Sequence, residues 1–208
     1  MRKFEEEINE LEKMIFDQDF IIKKGTLPIL FTAPHTMKQI NEDGSIKPNE
    51  PYTKAIALYL NKHFKVNCMI KVNDTGVDAN RDNRDEFKTK LIRFIKDNNI
   101  KLVIDLHGSS KEREFDIEFG TLNNLSAEYA TIKELEEAFT ENGITNVMHN
   151  DPFKGGAITE YVYSLKDVDV IQIEINGKYR DYQNIDELKK ICKSFENFIK
   201  QYKKYTNR

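Results

Sequence analysis

KLVIDLHG, residues 101–108, is the stretch on which the fold reading turns. Its apolar residues form a short β-branched run, and the run ends in Asp105 and His107, two side chains able to bind a metal or move a proton. Four further runs of this kind stand on either side of it, at Leu27–Ala33, Val66–Val72, Phe115–Phe119 and Val168–Ile175. Between them lie longer segments with apolar residues at helical spacing: Tyr52–Phe64, Phe87–Asn98, Ile132–Asn142 and Ile185–Tyr202. The last carries Leu188, Ile191, Cys192, Phe195, Phe198 and Ile199 on one stripe. Strands that alternate with helices predict an α/β layered domain whose sheet is covered on both faces. Sites in such sheets lie beyond the carboxyl ends of the strands, so residues at the ends of the runs are where chemistry is expected. The first 20 or so residues read as an added helix and Gly44–Pro48 as an exposed turn.

A chain of 208 residues fits a single domain over residues 1–208, large enough to bury about 70% of the surface its unfolded form exposes. A net charge of −3, with both signs interspersed, gives no general attraction to nucleic acid. The two cysteines, Cys68 and Cys192, are too few for a disulfide framework and suit a reducing compartment as buried thiols. The N-terminal MRKFEEEINELEKMIF is acidic and lacks the apolar centre of a signal peptide. No apolar run approaches the ~18 residues of a membrane span. A cytoplasmic protein with no membrane or nucleic-acid partner is expected.

Three runs end in chemistry-bearing residues. LPILFTAPH places His35 after Pro34 has stopped a strand, KLVIDLHG supplies His107, and VDVIQIEIN carries Glu174 inside a strand otherwise made of β-branched residues. A strand-end histidine has an ordinary reading as a surface or capping residue. Glu174 is harder to dismiss, because a carboxylate within an apolar strand costs several kcal/mol of desolvation unless it is paired or binds metal. Two imidazoles suit zinc, and a third ligand with an open fourth position marks a catalytic rather than a structural site. Asp105 shares a strand face with His107, where it either orients the imidazole or caps the next segment of chain. A fourth signal, DTGVDANRDNRD at 74–85, reads either as a solvated turn or as a substrate loop in which Arg81 forks onto a carboxylate and Asn80 holds an oxygen. The fifth is NDPFKGGAITEY at 150–161, where Gly155 and Gly156 let the backbone approach a ligand before a helix opens.

APH at 33–35, DTGVDANRD at 74–82, DLHG at 105–108, NDPFKGGAIT at 150–159 and VIQIEINGKYRD at 170–181 together resemble the N-formylglutamate amidohydrolase family. That family is related in architecture to the zinc carboxypeptidases and the aspartoacylase group. The resemblance implies a three-layer α/β/α domain with a central mixed sheet and one zinc ion per chain at the strand ends. It implies His35 and His107 as ligands, Glu174 as general base and acid, and Arg81 as the clamp for a substrate carboxylate. Zinc carboxypeptidases and aspartoacylases place a glutamate three residues after the first histidine; here that residue is Lys38, which cannot ligate while charged. Glu42 and Glu50 are the substitutes. Glu50 is preferred, because NEPYT at 49–53 opens a predicted helix and resembles the E-x-x-T segment of phage poly-γ-glutamate hydrolases. Its other reading is a first-turn carboxylate complementing the helix dipole. Tyr179, after the catalytic strand, is a candidate hydrogen-bond donor to substrate or to an anionic intermediate, or a packing residue.

The expected function is zinc-dependent hydrolysis of an amide bond in a small or short-peptide substrate that bears a carboxylate, of N-acyl amino acid or γ-glutamyl type. A carboxypeptidase-like peptidase is the alternative enzyme. A relative that binds metal but has lost catalysis, motivated by Lys38, is the alternative outside enzymes.

Overall fold

The computed structural model describes residues 3–40, 44–74, 76, 78–80 and 86–206. In chain order its elements are α1 (Phe4–Lys13), β1 (Phe20–Lys23), β2 (Ile29–Ala33), β3 (Gln39–Ile40), β4 (Ile46–Lys47), α2 (Thr53–Phe64) and β5 (Asn67–Lys71). There follow α3 (Glu86–Asp97), β6 (Leu102–Ser109), β7 (Ile117–Gly120), α4 (Tyr129–Thr140), β8 (Val147–His149), α5 (Ala157–Tyr163), β9 (Asp169–Asn176) and α6 (Ile185–Thr206). Seven strands form one sheet in the order β1-β5-β2-β6-β9-β7-β8, while β3 and β4 make a separate ribbon. Strands β5, β2, β6 and β9 are parallel, β1 and β7 pair antiparallel with β5 and β9, and β8 lies parallel to β7. The expected α/β architecture with a mixed sheet is what the chain adopts.

Alternation along the strands builds the two cores. Ile29, Phe31 and Ala33 of β2, Leu102, Ile104 and Leu106 of β6, and Ile171, Ile173 and Ile175 of β9 join α1, α2, α4 and α6 in the larger core. Leu30, Val103 and Val170, on the opposite face, pack with Phe87, Leu91 and Phe94 of α3 and Ile158 and Val162 of α5. Strands buried on both faces carry little polar alternation, which is why they stand out in the sequence as continuous apolar runs. No helix among the described residues is long and apolar enough to cross a membrane.

Three features differ from the sequence reading. Strand β6 continues through Ser109, because its pairing with β9 runs unbroken from Leu102↔Asp169 to Ser109↔Asn176, so His107 lies inside the strand rather than after it. Phe20–Lys23 and Val147–His149 are short edge strands, too brief for a periodic signal. The stretch read as an exposed turn at Gly44–Pro48 contains Ile46 and Lys47, which pair with Ile40 and Gln39. The N-terminal helix is present as α1 and has a local task. Tyr52, at the start of α2, has φ 65° and no side-chain cap of its own. Glu12 of α1 accepts from the Tyr52 and Ala55 N–H groups at 3.0 and 3.3 Å, which fixes the segment carrying Glu50.

Candidate active site

Strand register converts the sequence pattern into a grid. In one row Thr32 pairs with Asp105, Asp105 with Gln172, and Gln172 with Gly120; in the next, His107 pairs with Glu174 and Glu174 with Glu118. Asp105, His107, Gln172 and Glu174 share the sheet face of the smaller core, near the carboxyl ends of β6 and β9. There the sheet opens into a cavity of about 580 Å³ whose lining includes Lys47, Glu50, Asn80, His107, Ser109, Arg113, Gln172, Glu174 and the segment 152–156.

His35, two residues past β2, closes on this row from the side. Its Nδ1 lies 3.0 Å from Glu50 Oε1 and 3.0 Å from His107 Nδ1, and His107 Nδ1 is 3.6 Å from Glu50 Oε2. These three residues are buried and offer one ligand atom each within a span of 4.8 Å. The opposite ring nitrogens are held by carboxylates: His107 Nε2 by Asp105 Oδ2 at 3.0 Å, and His35 Nε2 by Asp78 Oδ1 at 2.8 Å. A neutral imidazole that donates through Nε2 has its lone pair on Nδ1. Both Nδ1 atoms and the Glu50 carboxylate are then acceptors converging on one place, an arrangement that suits a divalent cation. The donor set of two imidazoles and one carboxylate, each imidazole backed by a carboxylate, fits zinc.

Glu50 is anchored so that one oxygen faces the histidines. Its Oε2 accepts the Gly108 N–H at 2.9 Å, and its own N–H donates to His35 O at 2.8 Å. Behind Gly108 lies Arg180, which donates to Ile175 O, Pro51 O and Ser109 O and so ties β9, the start of α2 and β6 together. A Cβ at residue 108 would stand 2.2 Å from the Arg180 guanidinium carbon, so any other residue would have to displace that guanidinium from its three hydrogen bonds. Burial disfavours charge on Glu50, but His35 and His107 outweigh it and hold the carboxyl well below the usual range. Burial likewise opposes charge on His107, yet Asp105 and Glu50 raise its basicity well above that of an ordinary imidazole.

Glu174 is 5% exposed and accepts from Gln172 Nε2 at 2.9 Å. Burial pushes its carboxyl up; His107 opposes the rise and Glu50 adds to it. A carboxyl with raised proton affinity, beside a donor set of this kind and facing a cavity, is suited to carrying a proton.

A family model described as N-formylglutamate amidohydrolase matches residues 84–179, just under half of the chain, and the match takes in His107 and Glu174. Over that stretch the chain is similar to the N-formylglutamate amidohydrolase family. An N-formylglutamate amidohydrolase from Ralstonia eutropha JMP134 superposes with a TM-score of 0.61 at 12% identity, over 88% of this chain and 98% of that one. A bacteriophage poly-gamma-glutamate hydrolase gives 0.58 at 11% identity over 93% of each. A metallo-carboxypeptidase from Burkholderia cenocepacia gives 0.52 at 12% identity, covering 94% of this chain and 68% of that one. At such identities the likeness is one of fold. Among curated protein sequences nothing matches.

In this amidohydrolase-like frame the remaining candidates separate. Asn80 lines the cavity, and its side chain caps α5: Oδ1 accepts the Ile158 N–H at 3.1 Å, and the carbonyl accepts Ala157 N–H at 3.3 Å. Gly155 and Gly156 form part of the cavity wall, and the Gly156 N–H donates to Gln172 Oε1 at 2.7 Å. A Cβ on Gly156 would stand 2.3 Å from Asn80 Nδ2, so the glycine is needed for close packing against that amide. Tyr179 is not brought to the cavity; it is buried in the larger core with its hydroxyl against Asp116. Arg81, Arg84 and Glu42 lie outside the described residues. Lys38, expected to stand close to the metal, is exposed and is not part of the cavity wall.

Four residues in the site's immediate surroundings do not stand out from sequence. Asp78 sits within the DTGVDANRD motif, where Arg81 and Asn80 are the more conspicuous side chains. Ser109, whose buried Oγ has no hydrogen-bond partner among the described residues, shares the strand face of Asp105 and His107 at the next alternate position. Arg180 lies in the VIQIEINGKYRD stretch. Lys47 carries no sequence signal.

Proposed function

We propose that the chain is a zinc-dependent hydrolase of amide bonds in small or short-peptide substrates bearing a carboxylate, of N-acyl amino acid or γ-glutamyl type. The observation that carries this reading is the convergence of His35 Nδ1, His107 Nδ1 and Glu50 on one place, with Glu174 lining the same cavity. His35, Glu50 and His107 would hold the ion, which when bound polarises a carbonyl and makes water more acidic. Glu174 accepts the proton of the attacking water and returns it to the leaving nitrogen, so that water adds across the amide to give an acid and an amine. Asp105 and Asp78 keep both imidazoles in the tautomer that leaves Nδ1 free. Ser109 Oγ, at the cavity wall, is available to a substrate oxygen. On the family resemblance Arg81 is assigned the substrate carboxylate, with the bidentate geometry of its guanidinium as the physical basis.

The test pairs metal content with turnover. Purified wild type should hold zinc and hydrolyse members of an N-acyl amino acid and γ-glutamyl peptide panel. Glu174→Gln should keep the zinc and lose roughly two to four orders of magnitude in kcat. A Glu174→Gln protein that turns over like wild type would remove the proposed mechanism, and a wild type that takes up no zinc would remove the metal.

A further inference from the structure

Among the described residues, Lys47 brings an ammonium up to His35, Glu50 and Asp78. It comes from β4 of the short ribbon between His35 and Glu50. Its Nζ lies 2.9 Å from His35 Nδ1 and 2.9 Å from His35 Nε2, 3.9 Å from Glu50 Oε1 and 3.7 Å from Asp78 Oδ2. Equidistant from both ring nitrogens, the ammonium stands over the His35 imidazole rather than on its Nδ1 lone pair, within ion-pair reach of Glu50, a would-be ligand, and of Asp78, the carboxylate that backs His35.

We propose that the Lys47 ammonium and the metal compete for one acceptor cluster, so that loading the site is opposed by Lys47 until it swings out. The proposal rests on the reading of His35, Glu50 and His107 as a metal centre. An ion within coordinating distance of His35 Nδ1 and an ammonium 2.9 Å from the same atom repel each other. The lysine is the partner able to leave. Its side chain is 30% exposed, it lines the cavity, and its long stem gives Nζ several positions in solvent. The ribbon that carries it is joined by two residue pairs, Gln39↔Lys47 and Ile40↔Ile46, so the main chain resists a small shift only weakly. Without metal, the ammonium partly neutralises a buried cluster of Glu50 and Asp78 carboxylates; with metal, it stands as a positive group on the cavity wall. The effect is a metal affinity set by a residue that is not a ligand. Lys38, in the same inter-ligand segment but exposed, has no such part.

The experiment strips the full-length protein of metal and titrates zinc against a chromophoric chelator for wild type, Lys47→Met, Lys47→Gln and Lys38→Met. A thermal melt of each stripped protein verifies that it is folded. Lys47→Met and Lys47→Gln should each bind zinc at least about tenfold more tightly than wild type, and Lys38→Met should match wild type. Zinc uptake by the Lys47 variants alone would also support the proposal. Folded Lys47 variants that bind zinc no more tightly than a zinc-binding wild type would overturn it while leaving the metal centre intact. If neither wild type nor either Lys47 variant takes zinc, the metal centre and the proposal fall together.

Discussion

The two histidines of the cluster are held alike chemically and differently by the chain. His107 and the carboxylate behind it, Asp105, are two residues apart on β6, so the pleat alone sets them side by side. His35 and Asp78 are 43 positions apart, one just after β2 and the other in the segment after β5, and only parallel pairing of those strands brings them to 2.8 Å. The Asp105 half is also tied into the sheet, for Asp105 Oδ1 accepts the Thr32 hydroxyl at 2.6 Å. Asp78 Oδ1 accepts instead from the nearby Asn80 N–H at 2.8 Å, which makes its anchor a local turn. One half of the site is therefore part of the sheet, and the other is a loop folded against it.

If both histidines are ligands, this difference in support should not show when the imidazoles themselves are removed. His35→Ala and His107→Ala should each bring bound zinc down to background, read by mass spectrometry of the purified proteins, and this is the largest effect expected. Full zinc retention in one variant and loss in the other would break the equivalence and move the ligand assignment to another residue.

The next effect bears on the carboxylates. Asp105→Asn and Asp78→Asn should each lower zinc affinity by roughly 10–100-fold, because the amide no longer fixes the tautomer that leaves Nδ1 free. Asp105→Asn should lie at the upper end and Asp78→Asn at the lower. Asp105 is fully buried, and its other oxygen is committed to Thr32, so the new amide has no freedom to reorient. An asparagine at residue 78 can still accept the Asn80 N–H and preserve the turn. Chelator competition on the two variants reads the ranking directly, and a reversed order would mean that the loop, not the sheet, is the stiffer support.

The same contrast explains what can be read from the sequence. Strands β2, β5, β6 and β9 are legible because burial on both faces makes each a continuous apolar run, and β6 gives its site residues away where that run is broken by Asp105 and His107. Glu174 is legible as a carboxylate where hydrophobic burial forbids an idle one. Asp78 is not, since a short acidic side chain among Asp74, Asp78, Asp82 and Asp85 looks like any solvated turn until a partner 43 positions away is known. Lys47 is concealed in a different manner: the sequence suggests Lys38 as the cation near the metal, and the pairing of β3 with β4 brings Lys47 there instead. The edge strands β1 and β8 are four and three residues long, too short for alternation to rise above the surrounding charges.

The smallest effect concerns Thr32, whose hydroxyl donates to Asp105, the carboxylate behind His107. Thr32→Val keeps the shape and removes the hydroxyl donor, leaving Asp105 Oδ1 buried with its hydrogen bond lost, at a cost of about 1–3 kcal/mol in unfolding free energy by urea titration. Zinc affinity should fall by less than in Asp105→Asn, because Asp105 Oδ2 still accepts from His107 Nε2. The deciding measurement is the double variant Thr32→Val with Asp105→Asn. If the hydroxyl acts through Asp105 alone, the pair should bind zinc no more weakly than Asp105→Asn by itself, and the two effects will not add. Additive losses would show that Thr32 supports the site by a second route. The His107 half would then be held by β2 as a whole rather than by one hydrogen-bonded chain from Thr32 to the imidazole.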